Sequence, residues 1–175
     1  MVTHLRFNMR APAIIILLTL FCGSVFSQSK REVDSLLSEV CSTKDSKNII
    51  KSGPAKKLIA YGTKLLPVLT DFFNDTTLTK VTSSCQGRFL SKGEVAIILA
   101  DKIESMPYYI VTGVQNCLMT FCENNPNRIE FYLYAIKHHG VALFSKKYTA
   151  WLNSDDRKKW HPYITNKIPR KAKTT

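Results

Sequence analysis

His138 and His139 are the side chains best suited to metal or proton chemistry, and their spacing argues against a shared site. Neighbouring helical residues point about 100° apart, whereas a helix chelates metal with an i, i+4 pair. Both stand just before Gly140, where an imidazole suits the negative end of a helix. His161 is alone in a basic segment.

Cys85 lies in Ser83-Ser84-Cys85-Gln86-Gly87-Arg88, and the nearby arginine would favour a thiolate, with a distant histidine as base. A disulfide is the preferred reading. Glu94, with Asp101 or Asp71 as a second carboxylate, is the candidate acid of a glycan-cleaving site. However, Ser91-Lys92-Gly93-Glu94 has the form of a capping box, which already employs Glu94. Asp101 lies seven residues further along the same helix, roughly 10 Å by helical rise. No catalytic set, metal-ligand set or cofactor emerges, so a non-enzymatic protein is the first expectation and an exported hydrolase of envelope polymers (glycan or peptidoglycan) the second.

Charge supplies the binding candidate. Residues 137–175 carry 10 Lys and Arg against 2 Asp and Glu, while residues 28–136 carry 13 against 11. Arg157, Lys158, Lys159, Lys167, Arg170 and Lys171 set cations beside Trp160, a surface that attracts polyanions. The bland alternative is a solvated face that only aids solubility.

The address decides which polyanion. Arg6 and Arg10 precede an apolar run from Ala11 to Cys22 that Gly23 and Ser24 break, the order of a cleavable signal peptide over residues 1–27. The run is shorter than the roughly 18 residues that span a bilayer. An uncleaved anchor and a lipoprotein at Cys22 are the alternatives, the latter opposed by bulky Phe21. Export to the periplasm or the extracellular space makes nucleic acid an unlikely target. It points instead to an acidic protein partner or an anionic envelope surface, with no transmembrane span after the signal.

Export also places Cys41, Cys85, Cys117 and Cys122 in an oxidising compartment. On one straight helix Cys117 and Cys122 would sit roughly 8 to 9 Å apart, beyond disulfide reach. Pairing of these two with Cys41 and Cys85 is favoured, with one bridge or none as the alternative. Their spacing is not that of a zinc site, and no Cys-x-x-Cys is present.

The elements that must position these groups are helical. Val33, Leu36, Leu37 and Val40 recur at i, i+3, i+4 and i+7 over about residues 29–41. Leu65, Val68, Leu69, Phe72 and Phe73 share a face, as do Val95, Ile98, Leu99 and Ile103. Residues 76–87 read as a surface loop with a short extended piece at Lys80–Thr82. Tyr108–Val111 leans to helix, and Val114, Cys117, Leu118 and Phe121 form a further stripe. Asn125-Pro126 is expected to cap the helix of Ile129, Tyr132, Leu133 and Ile136, which ends at Gly140. Val141, Phe144, Tyr148, Trp151 and Leu152 mark the next, and Ser154 opens a last short one.

The helix–glycine–helix stretch of residues 55–75, with Leu65-Leu66-Pro67-Val68-Leu69 and the closing Asn74-Asp75, resembles a single HEAT-like helical repeat. That resemblance implies an α-hairpin and a protein-binding surface. The expected architecture is all-α: an array of antiparallel helix pairs in one domain over residues 28–168, followed by a basic disordered tail at 169–175.

Overall fold

The computed structural model describes residues 30–116 and 122–160. The segment expected to direct export (residues 1–27), Cys117, Lys167, Arg170, Lys171 and the residues 169–175 expected to form the tail lie outside the described residues. So does most of the stripe expected around Leu118, while Val114–Asn116 before it is not helical.

The chain is mostly helical. Helix α1 covers residues 30–40 and buries Val33, Leu36, Leu37 and Val40, the stripe their spacing predicts. A 3-10 turn, Ser46–Lys51, follows Asp45, whose side chain accepts from the Lys47 N–H at 2.8 Å. Ser52 caps α2 (Gly53–Ala60), and Pro54 occupies its first turn, where a missing N–H costs nothing. Gly62 turns the chain with φ at 64° into a 3-10 segment (Gly62–Leu65) and α3 (Leu66–Thr70). Residues 53–70 are therefore two short helices joined through a 3-10 turn, both packed on α4 (Lys92–Ile103).

Residues 76–87 are more ordered than the expected loop. Strand β1 (Leu78–Ser83) pairs antiparallel with β2 (Arg88–Ser91), matching Thr82 with Phe89 and Leu78 with Ser91. The register shifts between these two pairs, as a bulge requires. An all-α description thus needs correction by one small hairpin. Dense Thr and Ser hid an inward-facing period of two, Val81 and Ser83, both fully buried. The Lys80 and Thr82 N–H groups also donate to the Cys41 and Lys44 carbonyls at 3.0 and 2.9 Å, which ties the strand to the end of α1.

Helix α4 departs most from its expected one-sided stripe. All six residues from Val95 to Ala100 are fully buried, and a helix apolar all round belongs inside a protein. It is surrounded by α2, α3, β2 and the 3-10 turn Arg128–Tyr132. Gly93 allows the close approach: a Cβ there would lie 2.2 Å from the Phe73 carbonyl oxygen.

After α4 come α5 (Tyr108–Thr112), α6 (Leu133–His139), α7 (Val141–Leu152) and α8 (Asp155–Lys158). Asn125 does not cap a helix. Its Oδ1 accepts from the Asn127 N–H at 2.8 Å in a turn, a local bond that competes with helix. Gly140, with φ at 98°, is the sole link between α6 and α7. Phe73, Phe144, Tyr148 and Trp151 stack in series through the core, with ring centroids 5.7 to 6.2 Å apart along that path.

Cys85 and Cys122 form a disulfide with Cα atoms 5.4 Å apart, so Cys122 pairs with one of the two expected partners. The expectation for Cys41 is corrected, since it is a free thiol. It closes α1, half-buried against the core, where burial pushes its pKa up to about 11.

Candidate functional site

The N-terminus of α4 has the chemistry expected of an acid site and has already spent it. Glu94 folds back in the capping box, its Oε2 accepting from the Ser91 N–H at 2.8 Å while Ser91 Oγ accepts from the Glu94 N–H at 3.2 Å. Arg88 then grips both carboxylate oxygens, at 2.5 and 2.8 Å, and the bonds to Glu94 raise its own pKa. The Lys92 and Gly93 N–H groups donate to the Thr77 and Asp75 carbonyls at 2.8 and 2.9 Å. The donors that a free helix start offers to an anion are therefore occupied.

Glu94 nevertheless lines a pocket of about 340 Å³ with Arg88, Asp75 and Lys137. Asp75 accepts from the Thr77 N–H at 2.9 Å. Partial burial pushes the Asp75 pKa up, but the hydrogen bonds from Thr77 and the charge of Lys92 outweigh it and leave the value lowered. Asp101 and Asp71, the other partners considered for Glu94, do not line this pocket. Asp71 is exposed and paired with Lys30 at 2.7 Å.

Asp101 is buried and accepts from the Met106 N–H at 3.0 Å and from the Tyr108 hydroxyl at 3.2 Å. Burial raises its pKa to about 6, against the lowering effects of those bonds and of Lys102 and Arg128. Tyr108 stacks on Tyr132 at 4.8 Å, so this carboxyl fastens the turn after α4.

Glu130 carries the densest polar network, one that sequence reasoning did not single out. It is fully buried. Oε1 accepts from the hydroxyls of Ser46, at 2.9 Å, and Ser83, and Oε2 accepts from the Nδ2 groups of Asn125 and Asn127 at 2.9 and 3.3 Å. Its carbonyl accepts from Gln86 Nε2 at 2.6 Å. Four side chains from three segments, at residues 46, 83 and 125–130, meet at this one carboxylate, beside the Cys85–Cys122 bridge. The partners lie up to 84 residues apart in sequence, so no local motif could announce them. Their donors satisfy the buried carboxyl oxygens, and the arrangement is a structural clasp.

The basic residues singled out from the sequence have separate fates. Arg157 Nε and Nη2 bind Glu104 at 2.8 and 2.9 Å, and Nη1 donates to the Leu152 carbonyl at 3.0 Å. This bidentate pair fastens α8 to the end of α4. Trp160 Nε1 donates to the Ser105 carbonyl at 2.8 Å, while Trp151 is buried in the core. Lys158 pairs with Asp155 at 2.7 Å, exposed on both sides, and Lys159 is exposed.

A different basic surface emerges at the α6–α7 corner. From residue 131 to 154 the chain contains no Asp or Glu. Lys137 and Lys146 are exposed, Lys147 is half-buried, and among the described residues none of the three makes an ion pair. Tyr134 stacks on His138 with ring centroids 6.1 Å apart, and His138 lies 5.7 Å from His139. His139 in turn lines a pocket of about 120 Å³ with Leu143, Lys147 and Gly113. The two histidines close α6 as expected, and among the described residues no group of three or more His, Cys, Asp or Glu is placed to hold a metal ion. No helix among the described residues is long and apolar enough to cross a membrane.

No protein-family model, no curated protein and no solved structure matches the chain.

Proposed function

We propose that this is an exported, non-enzymatic helical docking module that binds an acidic protein partner or an anionic envelope surface. One observation carries the reading: a helical corner of 24 residues, 131–154, free of carboxylates and bearing three lysines without an ion-pair partner among the described residues. Most surfaces mix charges of both signs, so a helix pair that carries cations and no carboxylate of its own, beside an exposed tyrosine, is suited to a polyanion. The export signal at residues 1–27 restricts that polyanion to the envelope or beyond. A disulfide between Cys85 and Cys122 fits the same compartment. The resemblance of residues 55–75 to a HEAT-like unit, and with it an array of helix pairs, belongs to this reading, as do the further cations Lys159, Lys167, Arg170 and Lys171.

The test is retention of residues 28–175 on a polyanionic resin as salt rises. Changing Lys137, Lys146 and Lys147 together to Gln should lower the eluting salt clearly more than the same change at Lys56, Lys57 and Lys64. Equal shifts for the two triple variants would mean that only net charge matters and would remove the proposed face.

A second reading, an exported hydrolase of envelope polymers, is favoured by the pocket that Glu94 shares with Asp75. Against it stands the occupation of both Glu94 oxygens by Arg88 and the Ser91 N–H. Release of sugar or peptide from purified envelope polymer by the wild type, abolished in Glu94→Gln, would establish the hydrolase and displace the docking module.

A further inference from the structure

We propose that the α6–α7 corner docks on a bilayer surface rich in anionic phospholipid, with Tyr134 and Leu143 entering the headgroup region and Lys137, Lys146 and Lys147 meeting lipid phosphates. This inference rests on the docking-module reading and names the partner of that same face.

The apolar anchors project outward. Tyr134 is 71% exposed and Leu143 48% exposed, on a chain whose core otherwise buries the aromatic residues of α7. Each anchor has lysine one turn further on: Lys137 follows Tyr134 by three residues, and Lys146 and Lys147 follow Leu143 by three and four. Residues at those spacings share a helix face. Lysine can lay its stem along apolar surface and keep its ammonium at headgroup level, and tyrosine is enriched at that depth because its ring is apolar and its hydroxyl polar.

Two further observations favour lipid over a protein. The pocket beside Leu143 holds about 120 Å³, below the roughly 300 Å³ at which ligand pockets begin, so the Leu143 side of the corner offers a protruding anchor and little to receive a partner's side chain, while the larger pocket beside Lys137 is walled by the Arg88–Glu94 pair. Residues 131–154 contribute no carboxylate, and of the two that share a pocket with Lys137, Glu94 is held by Arg88 and Asp75 accepts from the Thr77 N–H, so the two helices themselves set no negative charge against lipid phosphate. Such a surface lies on a bilayer without crossing it.

Sedimentation of residues 28–175 with vesicles tests this, comparing pure phosphatidylcholine with an equal mixture of phosphatidylcholine and phosphatidylglycerol. Binding is expected only to the anionic vesicles and should be largely lost at about 0.5 M salt. Gln at positions 137, 146 and 147 should weaken binding on the order of 100-fold. The double variant Tyr134→Ser, Leu143→Ser should weaken vesicle binding about tenfold while leaving retention on a polyanionic resin unchanged. Four of the five side chains are exposed and Lys147 is half-buried, and circular dichroism verifies that each variant is folded. Wild-type retention on the resin without sedimentation on anionic vesicles overturns the lipid partner and leaves the docking reading standing. Failure on both overturns both.

Discussion

Replacing Gly93 with alanine adds one methyl group to the first turn of α4, and two effects of opposite sign compete there. Helix propensity alone favours alanine by up to about 1 kcal/mol. The new Cβ, however, would lie 2.2 Å from the Phe73 carbonyl oxygen, 2.8 Å from its carbon and 2.9 Å from the Phe72 oxygen. These are backbone atoms, so no side chain can swing aside, and one segment must retreat by about 1 Å to restore ordinary contact. That retreat stretches the Lys92–Thr77 and Gly93–Asp75 hydrogen bonds, now 2.8 and 2.9 Å, each worth about 1 kcal/mol. Overpacking adds about 1 to 3 kcal/mol. The clash therefore wins, and Gly93→Ala should lose about 2 to 4 kcal/mol. Urea unfolding followed by far-ultraviolet circular dichroism reads this as a lower midpoint with an unchanged slope. Stability equal to or above that of the wild type would refute the close approach of α4 to residues 72–75.

Two other perturbations probe the same frame. The Cys85–Cys122 bridge spans 37 residues, and chain entropy assigns such a loop about 4 kcal/mol; serine at both positions should lose most of that in unfolding experiments, whereas Cys41→Ser should change stability little. Burial places the Asp101 pKa at about 6 against an ordinary 3.8, so the native state holds its proton over a range in which the unfolded chain has released it. Stability from this group is present below about pH 4 and is lost as pH rises through about 6. Asp101→Asn keeps an acceptor for the Met106 N–H, so it should flatten that slope and add up to about 3 kcal/mol at pH 7. An unchanged slope between pH 4 and 6 would assign the titration to another group.

Local pattern alone determined much of this molecule. The stripe of α1, the capping box at Ser91, the helix ends at Gly62 and Gly140 and the cap of α8 at Ser154 each depend on residues within about one turn of one another, so spacing suffices to reveal them. The concentration of cations after residue 136 was equally plain, because charge is counted along the chain.

Tertiary structure decided the rest, for reasons of distance and competition. Glu104, 53 residues from Arg157, engages that guanidinium and makes it a fastening group, whereas Lys159, Lys137 and Lys146 stay exposed. Glu130 became a clasp only when segments up to 84 residues away arrived around it. The hairpin at 78–91 formed among Thr and Ser because the end of α1 supplied carbonyls to its outer edge, and α4 became the fully buried centre only once its neighbours had closed over every face. Hydrogen bonds, ion pairs and burial across such separations depend on how the chain returns on itself, and periodicity in one segment carries no record of that.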